Sequence, residues 1–244
     1  MTSTSAPDLA TLLTSGRIRA LSFDCYGTLI DWESGLLAAL AEPLEARALA
    51  VPDEEVLELF ATAEAQVEED AATDFVPYRE VLERVLDAVG EELGFAPSPD
   101  ECAEFAASVP RWPAFPDSRA ALAKLAKHFD LLVLSNVDAD LFAGSAEQLG
   151  DPFKHAFTAD RIGSYKPDPR NFAHLLEHGG HPKDAILHVA QSRYHDIAPA
   201  RELGFTTCWI DRQSSRAGGG ATKPSTAEPH YTLPDLASLA ALVE

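Results

Sequence analysis

Asp24 closes a short apolar run, in Phe23-Asp24-Cys25-Tyr26-Gly27-Thr28-Leu29. A carboxylate at the end of a buried strand is desolvated unless a cation or a hydrogen-bond donor meets it. The Gly-Thr pair that follows allows a tight turn with a hydroxyl aimed back at Asp24. Three more polar groups recur downstream: Ser135-Asn136 after a second apolar run, Lys166 in Ser164-Tyr165-Lys166-Pro167-Asp168-Pro169, and Asp196 in Gln191-Ser192-Arg193-Tyr194-His195-Asp196. A carboxylate can act as a nucleophile through a covalent ester, splitting one difficult displacement into two easier steps. A lysine within ~4–6 Å favours its ionised form, and a second carboxylate can orient or deprotonate water. Singly, each motif has a plainer reading: a turn with a helix cap, the start of a loop, a solvated lysine, an acid in a helix's first turn. Together they form an ordered set, Asp, Ser, Lys, Asp, each expected at the end of a core strand.

The elements that must hold these groups follow from periodicity. Residues 19–23 (RALSF), 131–135 (LLVLS), 186–190 (ILHVA) and 206–210 (TTCWI) are short apolar runs bounded by polar, Gly or Pro residues. Runs of that length suit parallel strands buried on both faces. All but the first follow a helical pattern, and such alternation predicts a doubly wound parallel α/β sheet. Ligands then bind at the carboxyl ends of the strands. Residues 34–112 differ. Leu36, Leu37, Leu40 and Leu44 recur at helical spacing, as do Val56, Leu59, Phe60 and Ala63, then Val81, Leu82, Val85, Leu86 and Val89. This third is predicted to be a helical cap (34–112) inserted into a Rossmann-like core (1–33 and 113–244). A Ser-, Gly-, Ala- and Thr-rich stretch at 214–229 reads as a surface loop.

Charge limits the partners. The chain of 244 residues carries a formal −20 at pH 7, and residues 34–112 hold nineteen acidic residues against four basic ones. Such a chain is repelled by nucleic acid and by anionic membrane surfaces. It shows no signal-peptide pattern and no apolar run long enough to span a bilayer, so a cytoplasmic location is expected. Cys25, Cys102 and Cys208 are scattered and odd in number, with neither metal-type spacing nor a disulfide framework.

The ordered set resembles that of the haloacid dehalogenase-like hydrolase superfamily, over nearly the whole chain. Within it, Phe-Asp-x-Tyr-Gly-Thr-Leu-x-Asp-Trp followed by a helical cap is similar to the 2-haloacid dehalogenase (type II) branch. The resemblance implies hydrolysis of the carbon–halogen bond of a short 2-haloacid, a small anionic substrate, through an aspartyl ester. Asp24 would be the nucleophile, Lys166 would keep it ionised, and Thr28 would position it. Asp196 would prepare the hydrolytic water. Tyr26, Ser135, Asn136, Gln191 and Ser192 would line the substrate site, with no metal or other cofactor. A homodimer is a further implication.

The main alternative is a magnesium-dependent phosphatase acting on a small phosphate monoester, with Asp24 and Asp196 holding the ion. Phosphatases of the superfamily carry a second aspartate two residues after the nucleophile, as general acid for the leaving alcohol. Here that position is Tyr26, and Gln191 stands where their fourth motif begins with aspartate. Halide leaves as a stable anion and needs no acid, which favours dehalogenation. Two departures pull the other way. The early cap has no arginine between Arg47 and Arg79 to bind halide, and the tyrosine those dehalogenases carry after the lysine is Phe172. Arg79 or Arg84 could substitute, or could lie on a solvated face. Trp32 could line the pocket or pack against the cap. Phosphonate cleavage needs a cap lysine, and this cap has none. A second alternative is a catalytically weak relative serving as an interaction protein, with the acidic cap as its binding face.

Other reactive residues have structural readings. Cys25 should point away from Asp24 into the core. His174, His178 and His181 lack the further ligands of a metal site and read as surface residues, with Gly179-Gly180 ending their helix. His188 lies in a predicted strand and reads as structural; His195, beside Asp196, is a candidate for a functional role.

Overall fold

The structure is a computed structural model that describes residues 7–70, 74–212 and 225–243. Most of the stretch 214–229 therefore lies outside the described residues. The elements run α1 (Leu9–Thr14), β1 (Ala20–Phe23), α2 (Trp32–Glu45), α3 (Asp53–Asp70), α4 (Tyr78–Leu93), α5 (Pro99–Ala106) and α6 (Ser118–Leu125). They continue with β2 (Asp130–Ser135), α7 (Ala139–Gln148), β3 (His155–Thr158), α8 (Ala159–Ile162), α9 (Pro169–His178), β4 (Ile186–Ala190), α10 (Ala198–Glu202), β5 (Thr206–Ile210), β6 (Tyr231–Leu233) and α11 (Leu236–Ala241).

The six described strands form one sheet in the order β3-β2-β1-β4-β5-β6, with every pairing parallel. Strand β1 lies between β2 and β4, with Phe23 in register with Val133 on one side and Val189 on the other. The order reverses there, and a crevice opens at such a switch point. The two sheet faces belong to different core layers. Leu21, Phe23, Leu131, Val133, Leu187 and Val189 join α1, α6, α7 and α11, while Ala20, Leu132, Leu134 and Ile186 join Phe172 and Leu175 of α9 and Ala200 of α10. Burying each large apolar side chain stabilises the fold by about 1.5–3 kcal/mol. This is the doubly wound α/β architecture expected.

Two strands were not foreseen. The runs at β3 and β6 are only four and three residues long and partly exposed, so neither shows a continuous apolar stretch. The position of Lys166 also differs from expectation. It does not end a strand, because α8 and a loop intervene between β3 and the lysine.

Between β1 and α6 the chain forms α2–α5. The neck where it leaves and re-enters the core is closed by backbone pairing: Asp31 N–H donates to the Pro113 carbonyl at 2.8 Å, and Phe115 N–H donates to Leu29 at 3.0 Å. The helices are amphipathic for the reason the spacing suggests. Val81, Leu82, Val85, Leu86 and Val89 on α4 are all buried, and the layer they form with Leu36, Leu40, Phe60 and Phe105 is continuous with the core. α5 starts with a capping box in which Ser98 and Glu101 satisfy each other's backbone N–H groups. Asp138, just before α7, accepts from the backbone N–H groups of Tyr78 and Arg79, both at 2.9 Å. A core carboxylate thus caps the N-terminus of α4, and fixes the cap helices over the strand ends.

Gly35 in α2 marks a tight approach, since a Cβ there would run into the Trp112 ring. The Trp112 indole N–H donates to Ser108 Oγ at 2.9 Å, so the ring is held in place. Gly35→Ala is expected to destabilise the protein by about 1–3 kcal/mol through overpacking, measured as a lower denaturation midpoint with an unchanged slope.

Candidate active site

The turn after β1 brings its side chains together because its backbone folds back on one carbonyl. Cys25 C=O accepts from the N–H groups of Thr28, Leu29 and Ile30. Gly27 sits at φ +92°, a conformation that favours glycine, and a Cβ there would lie 3.2 Å from Gln191 Oε1. The turn directs Thr28 Oγ1 at Asp24 Oδ2, 2.7 Å away, while Thr28 Oγ1 itself accepts from the Gln191 N–H at 2.8 Å. One hydroxyl therefore links the first motif to the fourth. Cys25 is fully buried in the apolar layer, as its strand parity suggested.

Lys166 is 2% exposed. Its Nζ donates to Asp24 Oδ1 at 2.8 Å, to Asp196 Oδ1 at 2.7 Å and to the Leu134 carbonyl at 2.8 Å. All three ammonium hydrogens are thereby placed, and the amine sits as a bridge between two buried carboxylates. The backbone of Lys166 is clamped by Asn136, whose Oδ1 accepts from the Lys166 N–H at 2.6 Å and whose Nδ2 donates to its carbonyl at 3.0 Å. Asn136 lines the cavity, as expected, and its amide also holds the lysine.

The electrostatics follow from this burial. Burial is the largest influence on Asp24 and pushes its carboxyl above the ordinary range, with the Lys166 charge pulling the other way. Burial also works to raise Asp196, but the Lys166 charge and the hydrogen bond from His188 outweigh it and hold that carboxyl low. For Lys166, burial opposes the charged form; the two aspartates overcome it and raise the ammonium above its usual value. Asp196 is fully buried, and its Oδ2 has no hydrogen-bond partner.

A cavity of about 100 Å³ opens over this cluster. Asp24, Lys166, Asp196, Ser135, Asn136, Gln191 and Ser192 line its floor. The Ser135 hydroxyl is buried without a partner, so a bound group could satisfy it. Ser192 Oγ accepts from the His195 N–H at 3.0 Å, and both residues reach the cavity. Trp32 and Trp112 form apolar walls, and Tyr26 stands edge-on to Trp112 with ring centroids 5.8 Å apart. The Tyr26 hydroxyl pairs with Ser145 Oγ of α7 at 3.0 Å, and burial pushes its phenol well above the ordinary value.

Several lining residues gave no signal in the sequence. Glu64 and Glu68 of α3 and Tyr78 of α4 reach the cavity from above, with the Tyr78 hydroxyl donating to Glu64 Oε1 at 2.6 Å. Trp112 arrives from the far end of the cap. Arg79 and Arg84 do not line it: Arg79 pairs with Asp140 and Arg84 with Glu80, both near the surface. Phe172 lies outside the cavity with its ring against His188. His174 and His178 stack on each other, and His181 pairs with Asp130.

Asp24 and Asp196 are the two carboxylates that would hold magnesium, with phosphate and water completing its shell. Both Asp24 oxygens and Asp196 Oδ1 already receive hydrogen bonds, and Gln191 provides no negative charge. Among the described residues, no three His, Cys, Asp or Glu side chains stand together as a metal site.

The family model of haloacid dehalogenase-like hydrolases matches residues 18–204. The haloacetate dehalogenase H-2 of Moraxella sp. (strain B) is 23% identical, over 93% of this chain and 98% of its own length. The 5-amino-6-(5-phospho-D-ribitylamino)uracil phosphatase YigB of Escherichia coli (strain K12) is 28% identical, over 93% of this chain and 97% of its own. In fold, the chain is similar to the L-2-haloacid dehalogenase of Xanthobacter autotrophicus, with a TM-score of 0.80 and 23% identity over 92% of this chain and 98% of that one.

Proposed function

The chain belongs to the haloacid dehalogenase-like hydrolases, and from that premise we propose that it hydrolyses the carbon–halogen bond of a short 2-haloacid through an ester on Asp24. The observation that carries the reading is Tyr26. It occupies the place of an acid that an alkoxide leaving group would require, and its hydroxyl is tied to Ser145 with the phenol pushed upward. Halide needs no proton, so its departure is indifferent to that residue. The similarity to dehalogenases over nearly the whole chain supports the same reading.

In this reading the reaction has two displacements. An oxygen of Asp24 attacks the halogen-bearing carbon opposite the halogen; the C–O bond forms as the C–X bond breaks, and its electron pair leaves with the halide. Lys166 keeps the attacking carboxylate charged, and Thr28 holds its other oxygen. Water then attacks the carboxyl carbon of the ester. Asp196 accepts the water's proton and returns it to the departing alkoxide, which leaves as the hydroxyacid. The restored Asp24 releases one proton to solvent and keeps a water-derived oxygen. Ser135 supplies a neutral donor to the substrate carboxylate.

In this reading the core of 1–33 and 113–244 supplies the chemistry, and the cap of 34–112 closes the cavity. The test is product release from two panels, one of chloro-, bromo- and fluoroacetate with 2-chloropropionate, the other of phosphate monoesters. Each is run with magnesium and with a chelator. Halide release unaffected by the chelator is expected. Magnesium-dependent phosphate release, with no halide, would replace this reading with the phosphatase.

A further inference from the structure

Behind Asp196 lies a buried polar pair that the reaction above does not use. Ser22 on β1 and His188 on β4 are in register and fully buried, on the sheet face otherwise built from Leu132, Leu134, Phe172 and Ile186. Polar side chains in such a layer oppose folding unless they are hydrogen-bonded. Here they are. Ser22 Oγ lies 2.9 Å from His188 Nδ1, and His188 Nε2 lies 3.0 Å from Asp196 Oδ1. The chain of contacts continues through Lys166 Nζ to Asp24.

The consequence falls on the two oxygens of Asp196. Oδ1 receives both Lys166 and His188, whereas Oδ2 receives nothing. Two donors on one oxygen fix the rotation of the carboxylate about its Cβ–Cγ bond. An ionised carboxylate only accepts hydrogen bonds, so His188 Nε2 carries the hydrogen whether the ring is neutral or doubly protonated. We propose that His188, set by Ser22, is a positioning residue for the second half-reaction: it fixes the rotation of Asp196, the carboxylate that takes the proton of the hydrolytic water. Ester formation needs Asp24, Thr28 and Lys166 and does not need this orientation; ester hydrolysis does. The inference rests on the aspartyl-ester reading above.

The two half-reactions separate the effects. His188→Phe keeps a ring of similar volume but removes both nitrogens, and His188→Gln can place an amide N–H near the Nε2 position. With chloroacetate, His188→Phe is expected to release one equivalent of halide at the wild-type rate and then stall. Steady turnover would fall by about ten- to a hundredfold, the scale seen when a residue that orients a reacting group is lost. Intact-mass spectrometry should find one carboxymethyl group on the Asp24 peptide, and His188→Gln should restore hydrolysis. If both half-reactions fall together, or neither changes, His188 only fills the core and the proposal is overturned.

A second readout is independent of turnover, so failure of the dehalogenase reading leaves the proposal testable. In nitrogen-labelled protein, the His188 ring should show a hydrogen on Nε2 whose resonance shifts in Asp196→Asn. A hydrogen on Nδ1 alone, or an Nε2 signal unmoved by that substitution, would overturn the link between His188 and Asp196 whatever the substrate.

Discussion

Asp24→Asn is expected to abolish halide release, a loss on the order of 10⁴-fold or greater, as for removal of the nucleophile in other covalent mechanisms. The fold should survive. Asparagine has nearly the shape of aspartate, and its Oδ1 can accept from Lys166 or Thr28. Removing a buried negative charge also relieves the desolvation that raises the Asp24 carboxyl. The thermal midpoint should therefore remain close to wild type while turnover disappears; substantial activity in the variant would remove Asp24 from the nucleophile's role. The same burial sets the acid limb of the pH profile. Asp24 attacks only when ionised, and its pKa lies above the ordinary carboxylate value. As pH falls, ester formation should therefore be lost at a pH where an exposed carboxylate is still charged.

Lys166→Met is expected to damage both activity and stability. Lys166 is the cation shared by Asp24 and Asp196, and without it two buried carboxylates face each other. One of them must take up a proton, and the other keeps an uncompensated charge. Removing one partner from a buried ion pair typically costs about 3–5 kcal/mol. Activity should fall by about 10³-fold or more, because the proton would rest on the carboxylate already pushed upward, Asp24. The double variant Lys166→Met, Asp24→Asn should be inactive yet more stable than Lys166→Met alone, since no carboxylate then has to take up a proton for the pair to stay buried. Equal stability of the two variants in urea unfolding would mean that the bridge is not an energetic unit.

The placement of the central cluster was legible because its groups sit in locally encoded turns. Gly27 and Thr28 follow Asp24 at a spacing that returns the Thr28 hydroxyl to the carboxylate, and the apolar run before Asp24 declares β1. The family resemblance rested on those same residues. What sequence could not express was contact between distant segments. Glu64, Glu68 and Tyr78 read as ordinary cap residues because nothing local says which helix turn faces the crevice. His188 reads as a strand residue, and its bonds to Ser22 and Asp196 depend on register between β1 and β4. Asn136, placed near substrate by its position after β2, holds the Lys166 backbone because the loop after α8 returns there. β3 and β6 escaped notice because edge strands of four and three residues leave little apolar pattern.

Single turnover in heavy-oxygen water, with enzyme in excess over 2-chloropropionate, tests the covalent role of Asp24 most directly. The ester route sends an existing oxygen of Asp24 into the product and brings the water's oxygen into the carboxylate. The lactate formed should therefore be unlabelled, and the peptide containing Asp24 should carry the heavy isotope. Label in the lactate, with none in the peptide, would mean that water attacks the substrate carbon itself, and Asp24 would then be a base and not a nucleophile.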